Sequence, residues 1–447
     1  MYRVAMEYLR EWKEKRRRKP LLLRGARQVG KTYLVREFGK KYFSRVVEIN
    51  FEFDRGVCSL FESSYDPERV LRYISSKYGV KVDSDTLLFF DEVQECPQAL
   101  VAMRYFYERI PEVYLIGAGS LLEFAIEEVG IPVGRIRSLY LYPMSFYEFL
   151  IAKGKEGYVE MLMESRYDKP VEDVIHNDLI GLLGEYLAVG GMPEAVSAYI
   201  ESGGDFVEVR NVHRDIIGGF RQDFYKYGRK QSIKYIDKVF DAVPLYVGEK
   251  FVYSKVDEYL KIRDIRQALE VLAKAGIVYK VYHSSVNGVP LGAWKNYKRF
   301  KVIFMDIGLS QTMLGEDRAG WFVTPAESIS LRGNICENFV GMELLSYADP
   351  FVKKELYYWV REKVYEREGR RKRRNAEVDY VEVINGEIVP IEVKAGKRRY
   401  SKSLDLFLEE KGKPWGIVFS GGNFENRGRI RVVPLYAVFK LRGSLGS

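Results

Sequence analysis

Short apolar runs that end in glycine or in acids alternate with stretches of helical spacing over the first third of the chain. Pro20 is followed by Leu21-Leu22-Leu23, a short buried strand, and Tyr33 to Lys41 places Leu34, Val35 and Phe38 on one helical face. A second apolar strand runs from Thr86 to Phe90 and a third from Val113 to Ile116. Strands alternating with helices predict an α/β fold with a parallel sheet. This pattern closes near Tyr142 to Glu148, and a helical region follows in which Gly190-Gly191-Met192-Pro193 ends one helix and starts another.

Residues 233–305 read as a winged helix. Ser254 caps a short helix through Tyr259, Leu260 to Arg263 makes the turn, and Asp264 caps a second helix with Ile265, Ala268, Leu269 and Leu272 on its apolar face. Gly276 stops that helix, and β-rich runs at Ile277 to Tyr282 and Phe300 to Met305 flank a turn at Gly288. Asn334 to Leu345 has the spacing of an amphipathic helix. Glu377 to Ile384 and Glu387 to Lys394 are strands joined by Asn385-Gly386, a strong hairpin signal. The two-residue turn pairs Ile384 with Glu387, which sets Asp379 opposite Glu392 and Glu377 opposite Lys394. Alternation then places Val378, Tyr380, Val389, Ile391 and Val393 on the other, buried face. No fixed-period repeat is present, and Gly443 to Ser447 is expected to fray.

Chemistry enters at the turn after the first strand. Gly25-Ala26-Arg27-Gln28-Val29-Gly30-Lys31-Thr32 is a complete P-loop between a strand and a helix, the context in which such a loop binds a nucleotide. Gly25 and Gly30 permit the tight turn, and the loop amides with the positive helix end cradle phosphates. Lys31 is expected to neutralise the β- and γ-phosphates of ATP and Thr32 to hold Mg²⁺. The second strand runs into Asp91 and Glu92, carboxylates at the carboxyl edge of the sheet. Asp91 suits the Mg²⁺ shell and Glu92 the base that orients the attacking water. Ser120, after the third strand, is a candidate reporter of the γ-phosphate, and Arg135 a candidate phosphate-sensing arginine.

A second constellation lies in the C-terminal hairpin. Two acids as close as Asp379 and Glu392 repel unless a cation sits between them. Mg²⁺ favours such oxygen ligands, with Glu337 as a third acid and Lys394 positioned to activate a water. The layout Glu…Asp…Glu-x-Lys is that of metal-dependent phosphodiester cleavage; the competing reading is a charged sheet face with Glu377 and Lys394 as an ion pair.

Composition narrows the class. The 447 residues, 47% hydrophobic and 30% charged, suit a globular chain of about three domains. Three widely spaced cysteines, Cys58, Cys96 and Cys336, indicate no disulfide framework or zinc site, which fits a reducing cytoplasm. With three histidines, a His-based metal site or triad is not expected. No apolar run is long enough to cross a bilayer, so no integral membrane association is expected, and the charged N-terminus does not read as a signal peptide. A net charge of +9 permits nucleic-acid binding. The charge is concentrated in Lys15 to Lys19 and Arg370 to Arg374, with Arg263, Arg266, Gln267 and Lys274 on the candidate recognition helix.

The order of these motifs resembles a prokaryotic family of AAA-type P-loop ATPases that carries a winged helix and a C-terminal PD-(D/E)XK nuclease-like domain. The matching stretches are Gly25 to Thr32, Leu87 to Glu92, Gly117 to Leu122, Gly134-Arg135, Pro143 to Glu148 and Gly190 to Glu194. The match continues at Lys301 to Leu309, Glu337 to Val340, Glu377 to Asp379 and Ile391 to Lys394. The resemblance implies an AAA/STAND-like ATPase domain at 1–160, a helical lid and winged helix at 161–315, and a restriction-endonuclease-like α/β domain at 316–447. It carries over Gly25 to Thr32, Asp91 and Glu92 as the ATP site, and Glu337, Asp379, Glu392 and Lys394 as the nuclease-like site. Ala118 and Gly119 depart from the Ser-rich strand end common in that family and leave only Ser120. The expectation is therefore a cytoplasmic ATPase acting on DNA, with self-association into a homo-oligomer left open. The alternative is a nucleotide-driven switch or scaffold whose nuclease-like domain binds a partner without cleavage.

Overall fold

The computed structural model describes residues 1–130, 134–227, 230–367, 370–396, 401–442 and 444–445. Two compact units emerge: Met1–Tyr142 with Lys274–Gly276 and Pro350–Lys353, and the remainder of the chain.

The first unit is a five-stranded parallel sheet of β1 (Leu21–Arg24), β2 (Arg45–Asn50), β3 (Thr86–Asp91), β4 (Tyr114–Ala118) and β5 (Arg137–Tyr140), in the order β2-β3-β4-β1-β5. Every residue of β3 is buried, as expected of a parallel strand covered on both faces. β1 pairs with β4 on one side (Leu21 with Ile116) and with β5 on the other (Leu21 with Arg137). The chain order reverses at β1, so the loop after it opens at a topological switch point, where open α/β sheets bind ligands. The helix that follows, Lys31–Tyr42, buries Leu34, Val35 and Phe38 as their spacing predicts. This is the architecture of a P-loop NTPase.

One expectation for this unit is corrected. Cys58 and Cys96 are joined in a disulfide, with Cα atoms 5.7 Å apart and a separation of 38 positions along the chain. Cys58 opens the helix Cys58–Ser63 and Cys96 precedes the helix Pro97–Arg109. Packing of those helices makes the pair, so spacing along the chain carried no sign of it, and the cysteine argument for a reducing compartment falls.

The second unit begins with helices, among them Phe146–Ala152, Asp173–Val189 and Pro193–Glu201. Gly190, at φ 77°, ends one helix and Pro193 starts the next, as the sequence indicates. An eight-stranded mixed sheet then forms from β6 (Val278–Ser284), β7 (Lys295–Phe304), β8 (Leu356–Arg367), β9 (Arg370–Ile384), β10 (Glu387–Lys394), β11 (Gly416–Ser420), β12 (Glu425–Arg427) and β13 (Ile430–Pro434). Its order is β12-β13-β11-β10-β9-β8-β6-β7.

The winged-helix expectation meets two differences. The short helix expected from Ser254 to Tyr259 is a single 3₁₀ turn, Tyr253–Lys255, with no buried residue to hold a longer helix. The expected wing, β6 and β7, is the edge of the larger sheet, because β6 also pairs in parallel with β8 (Val281 with Leu356). Strands on both sides of the expected 315/316 boundary, β6 and β7 before it and β8 to β13 after it, share this sheet.

The hairpin register is as counted: Ile384 pairs with Glu387 and Tyr380 with Ile391. Beyond that pair, the Val393 N–H donates to Asp379 Oδ2 at 2.8 Å. The expected face assignment is only partly met. The β8–β9 register shifts between Tyr357/Val381 and Trp359/Val378, a bulge that contains Asp379 and Tyr380. Val378 and Val381 therefore share one apolar cluster with Leu404, Phe407 and Leu408. Tyr380 instead donates its hydroxyl to the Glu337 carbonyl at 2.8 Å, and Val393 is only half-buried. Helices cover both faces, so simple alternation could not assign them. The helix expected at Asn334 to Leu345 spans Gly333–Ser346 and is buried on nearly every side, not amphipathic. Among the described residues no helix is long and apolar enough to cross a membrane. Of the expected frayed end, Gly443, Gly446 and Ser447 lie outside the described residues, as do the side chains of Arg370 to Arg374.

Candidate nucleotide site and candidate metal centre

The P-loop is held in shape by close backbone packing. A Cβ on Gly25, at φ 148°, would lie 2.1 Å from the Leu141 carbonyl oxygen, so only glycine fits. Gly30 (φ 88°) and Gln28 (φ 64°) are both left-handed. Ala26 and Val29 are buried, while Arg27 is half-buried and Gln28 exposed at the loop rim. Arg3 is buried behind the loop, donating to Val29 O at 2.8 Å and Tyr142 O at 2.6 Å. No motif marked Arg3; its position is a tertiary outcome.

Lys31 Nζ donates to the carbonyls of Gly25 (2.9 Å) and Ala26 (2.7 Å). Burial pushes its pKa down to about 8, against the opposing pull of Glu92 and Asp91. A buried ammonium resting on neutral carbonyls is a charge short of counter-charge, which an anionic phosphate supplies. Thr32 donates its hydroxyl to Asp91, 3.1 Å from Oδ1 and 3.3 Å from Oδ2. Asn50, at the end of β2, reaches the same Oδ2 at 3.3 Å. Burial first, then Glu92, raises the Asp91 pKa to about 6. Hard oxygens from Thr32 and Asp91, one of them a carboxylate, fit Mg²⁺.

Glu92 follows directly in the left-handed region at φ 49°, a conformation uncommon outside glycine and found at functional turns. Gln94 Nε2 donates to Glu92 Oε2 at 2.6 Å and orients it. Gln94 also fills the space beside Gly119, where a Cβ would lie 2.1 Å from its Oε1. Glycine at 119 therefore serves the placement of Gln94, and Ser120 is half-buried just beyond. Gln94 and Asn50 were missed because they belong to no motif. Arg135 is not brought to the P-loop: it ion-pairs with Glu108 at 2.8 Å on the exposed side of the helix Pro97–Arg109.

The acids of the second unit are gathered differently. Lys301, on β7 and 2% exposed, places Nζ 2.9 Å from Glu337 Oε1 and 3.7 Å from Asp379 Oδ1, and ion-pairs with Glu377. Burial opposes its charge, but Glu337, Asp379 and Glu377 outweigh this and hold its pKa well above the ordinary lysine value. Burial pushes the Glu337 pKa up to about 8. Lys394 ion-pairs with Glu392, whose pKa burial and Asp379 raise to about 7. Among the described residues Glu392 Oε2 is buried without a hydrogen-bond partner, which favours an added cation. Against it, Asp379 is already engaged by Val393 N–H and Lys301, and Glu337 by Lys301. Among the described residues no three His, Cys, Asp or Glu groups are placed to hold a metal ion. Of the three expected ligands, Glu337 and Asp379 meet at Lys301, from another strand, while Glu392 pairs with Lys394. The residues as they stand do not fit a resident divalent ion.

Comparison with known proteins adds three family matches. Residues 17–150 match AAA_14, an AAA domain. Residues 180–319 match DUF8612 and residues 332–438 match DUF4143, each described as a domain of unknown function. No curated protein matches. Among solved structures, a Walker-type ATPase of Pyrococcus abyssi is similar at 18% identity and a TM-score of 0.43, over 69% of this chain and 94% of that one. The Aeropyrum pernix ORC1 protein, solved in complex with DNA, is similar at 14% identity and a TM-score of 0.30, over 70% and 90%. PCH-2 of C. elegans is similar at 17% identity and a TM-score of 0.22, over 60% and 67%. The P-loop, the Thr32–Asp91 pair and Glu92 lie together at the switch point of a parallel sheet, and the match at 17–150 identifies an AAA domain within the first unit.

Proposed function

We propose that the protein is a Mg²⁺-dependent ATPase that acts as a nucleotide-driven switch, with a second unit that binds a partner and does not cleave nucleic acid. The observation that carries the reading is the geometry of two groups in the first unit: Lys31 is held on two backbone carbonyls, and Asp91 by a hydroxyl and an amide. Lys31 leaves the Gly25 and Ala26 carbonyls to neutralise the β- and γ-phosphates. Thr32 and Asp91 would hold Mg²⁺, which offsets charge on the phosphate oxygens. Glu92, oriented by Gln94, accepts the proton of the attacking water. Ser120 lies beyond the strand next to β1 and suits a contact to the γ-phosphate. Turnover of ATP by the full chain, with Mg²⁺ and with a chelator, tests the first half. Incubation with single- and double-stranded DNA in the same buffers tests the second. Metal-dependent turnover without cleavage is expected; DNA cleavage abolished by Asp379→Asn would overturn the non-cleaving half.

A second reading, a DNA-directed switch, is favoured by exposed Lys15, Arg16 and Arg17 and by Arg263, Arg266 and Gln267 exposed on the helix Ile262–Lys274. Arg18 does not join them: its guanidinium stacks 3.4 Å from the Tyr114 ring centre. Such binding would be dominated by phosphate contacts. Its log–log salt slope would be near −0.9 for each duplex phosphate neutralised. Replacing Arg370 to Arg374 with serine should flatten that slope.

A further inference from the structure

The acid cluster of the second unit is built around a lysine. Glu337 projects from the helix Gly333–Ser346, and Glu377 and Asp379 from β9. Lys301 reaches all three from β7, where its backbone pairs with Val281 of β6. The surroundings are tailored to this arrangement. A Cβ on Gly248 would lie 3.0 Å from Glu337 Oε2, so the backbone passes close against the glutamate. The Tyr358 ring centre lies 5.3 Å from Lys301 Nζ and adds a π-face to its shell. The bulge in β9 falls at Asp379 and Tyr380, the kind of irregularity that re-aims a side chain. Three carboxylates this close need a cation, and a removed partner would leave buried charge unpaired.

We propose that Lys301 is the built-in cation of this cluster, so that its ammonium takes the charge-balancing role of a divalent ion and excludes one. Removing the ammonium leaves Glu337, Glu377 and Asp379 around the vacated point, where a divalent ion is expected to draw the three carboxylates together. This deepens the non-cleaving reading above. It is tested by metal occupancy, not by cleavage, so the two can fail separately.

The experiment uses the full chain. Crystals soaked in Mn²⁺ are examined by anomalous diffraction for the natural sequence, for Lys301→Ala, which vacates space, and for Lys301→Met, which fills it without charge. The natural protein is expected to show no peak among Glu337, Glu377 and Asp379, whereas Lys301→Ala shows one. In solution Mn²⁺ at about 100 times its Kd should raise the melting temperature of Lys301→Ala by at least about 3 °C, and leave Lys301→Met unmoved. A peak in that cluster of the natural protein overturns the proposal, as does a folded Lys301→Ala without one. If Lys301→Ala folds only with Mn²⁺, the proposal is supported. If it folds under neither condition, the soak of the natural protein decides alone, absence of the peak supporting the proposal and presence overturning it.

Discussion

Lys31 and Lys301 are both buried lysines beside acids, yet their electrostatics are opposite. Lys31 rests on two backbone carbonyls and burial lowers its pKa to about 8, whereas Lys301 ion-pairs with three carboxylates that hold its proton firmly. A buried ammonium whose hydrogen bonds go to carbonyls can still answer an anionic ligand. A group with an ionic partner inside the fold has already been answered. Motif residues in both places therefore look alike along the chain and differ in what they can still bind.

The largest expected effect tests the nucleotide side. Glu92→Gln should keep ATP but slow its hydrolysis by about 10²- to 10⁴-fold, the range of a general base. Single-turnover kinetics at the natural rate would remove Glu92 from that role. On the other side, Lys301→Met should destabilise the second unit by about 3–5 kcal/mol at neutral pH, because it strands buried acids. Denaturant unfolding with an unchanged midpoint would erase the contrast between the two lysines.

Lys31→Ala should weaken ATP binding at least about 100-fold, since each charge-assisted hydrogen bond lost is worth about 1.5–3 kcal/mol. Calorimetry on the folded variant reads this directly, and unaltered affinity would break the phosphate-site reading. Unlike Lys301→Met, this variant should not lose stability to stranded acids.

The smallest effect has the sharpest sign. Asp91 has its folded pKa raised to about 6 from the ordinary 3.8, so its ionised form works against the fold above pH 6. Asp91→Asn should therefore stabilise the nucleotide-free protein at pH 7 by about 1–2 kcal/mol after allowance for solvent screening, while weakening Mg²⁺-dependent ATP binding. The advantage should shrink as pH falls from 6 to 3.8, where the folded carboxyl takes up its proton before the unfolded one. Melting curves across that range that show a less stable variant at pH 7 would make Asp91 a structural partner of Thr32 instead.

Much of this protein is encoded within a few residues. The strand–loop–helix from Leu21 to Tyr42 was legible because glycine conformations, apolar spacing and the acids ending β3 are local properties. The Asn385-Gly386 turn likewise determined the β9–β10 register, because a two-residue loop permits one pairing. Other features depend on segments far apart in sequence. Lys301 lies 36 residues from Glu337, and nothing near it signals that β6 will pair with β8 and bring it among the acids. The Cys58–Cys96 pair, the brace from Arg3 to Val29 and the placement of Gln94 against Glu92 arise in the same way, from packing. Residue types that can do chemistry were set by the sequence alone. Which of those charges meets an internal partner, and which is left for a ligand, was decided by the tertiary structure, because neutralisation acts over a few ångströms of space and not along the chain.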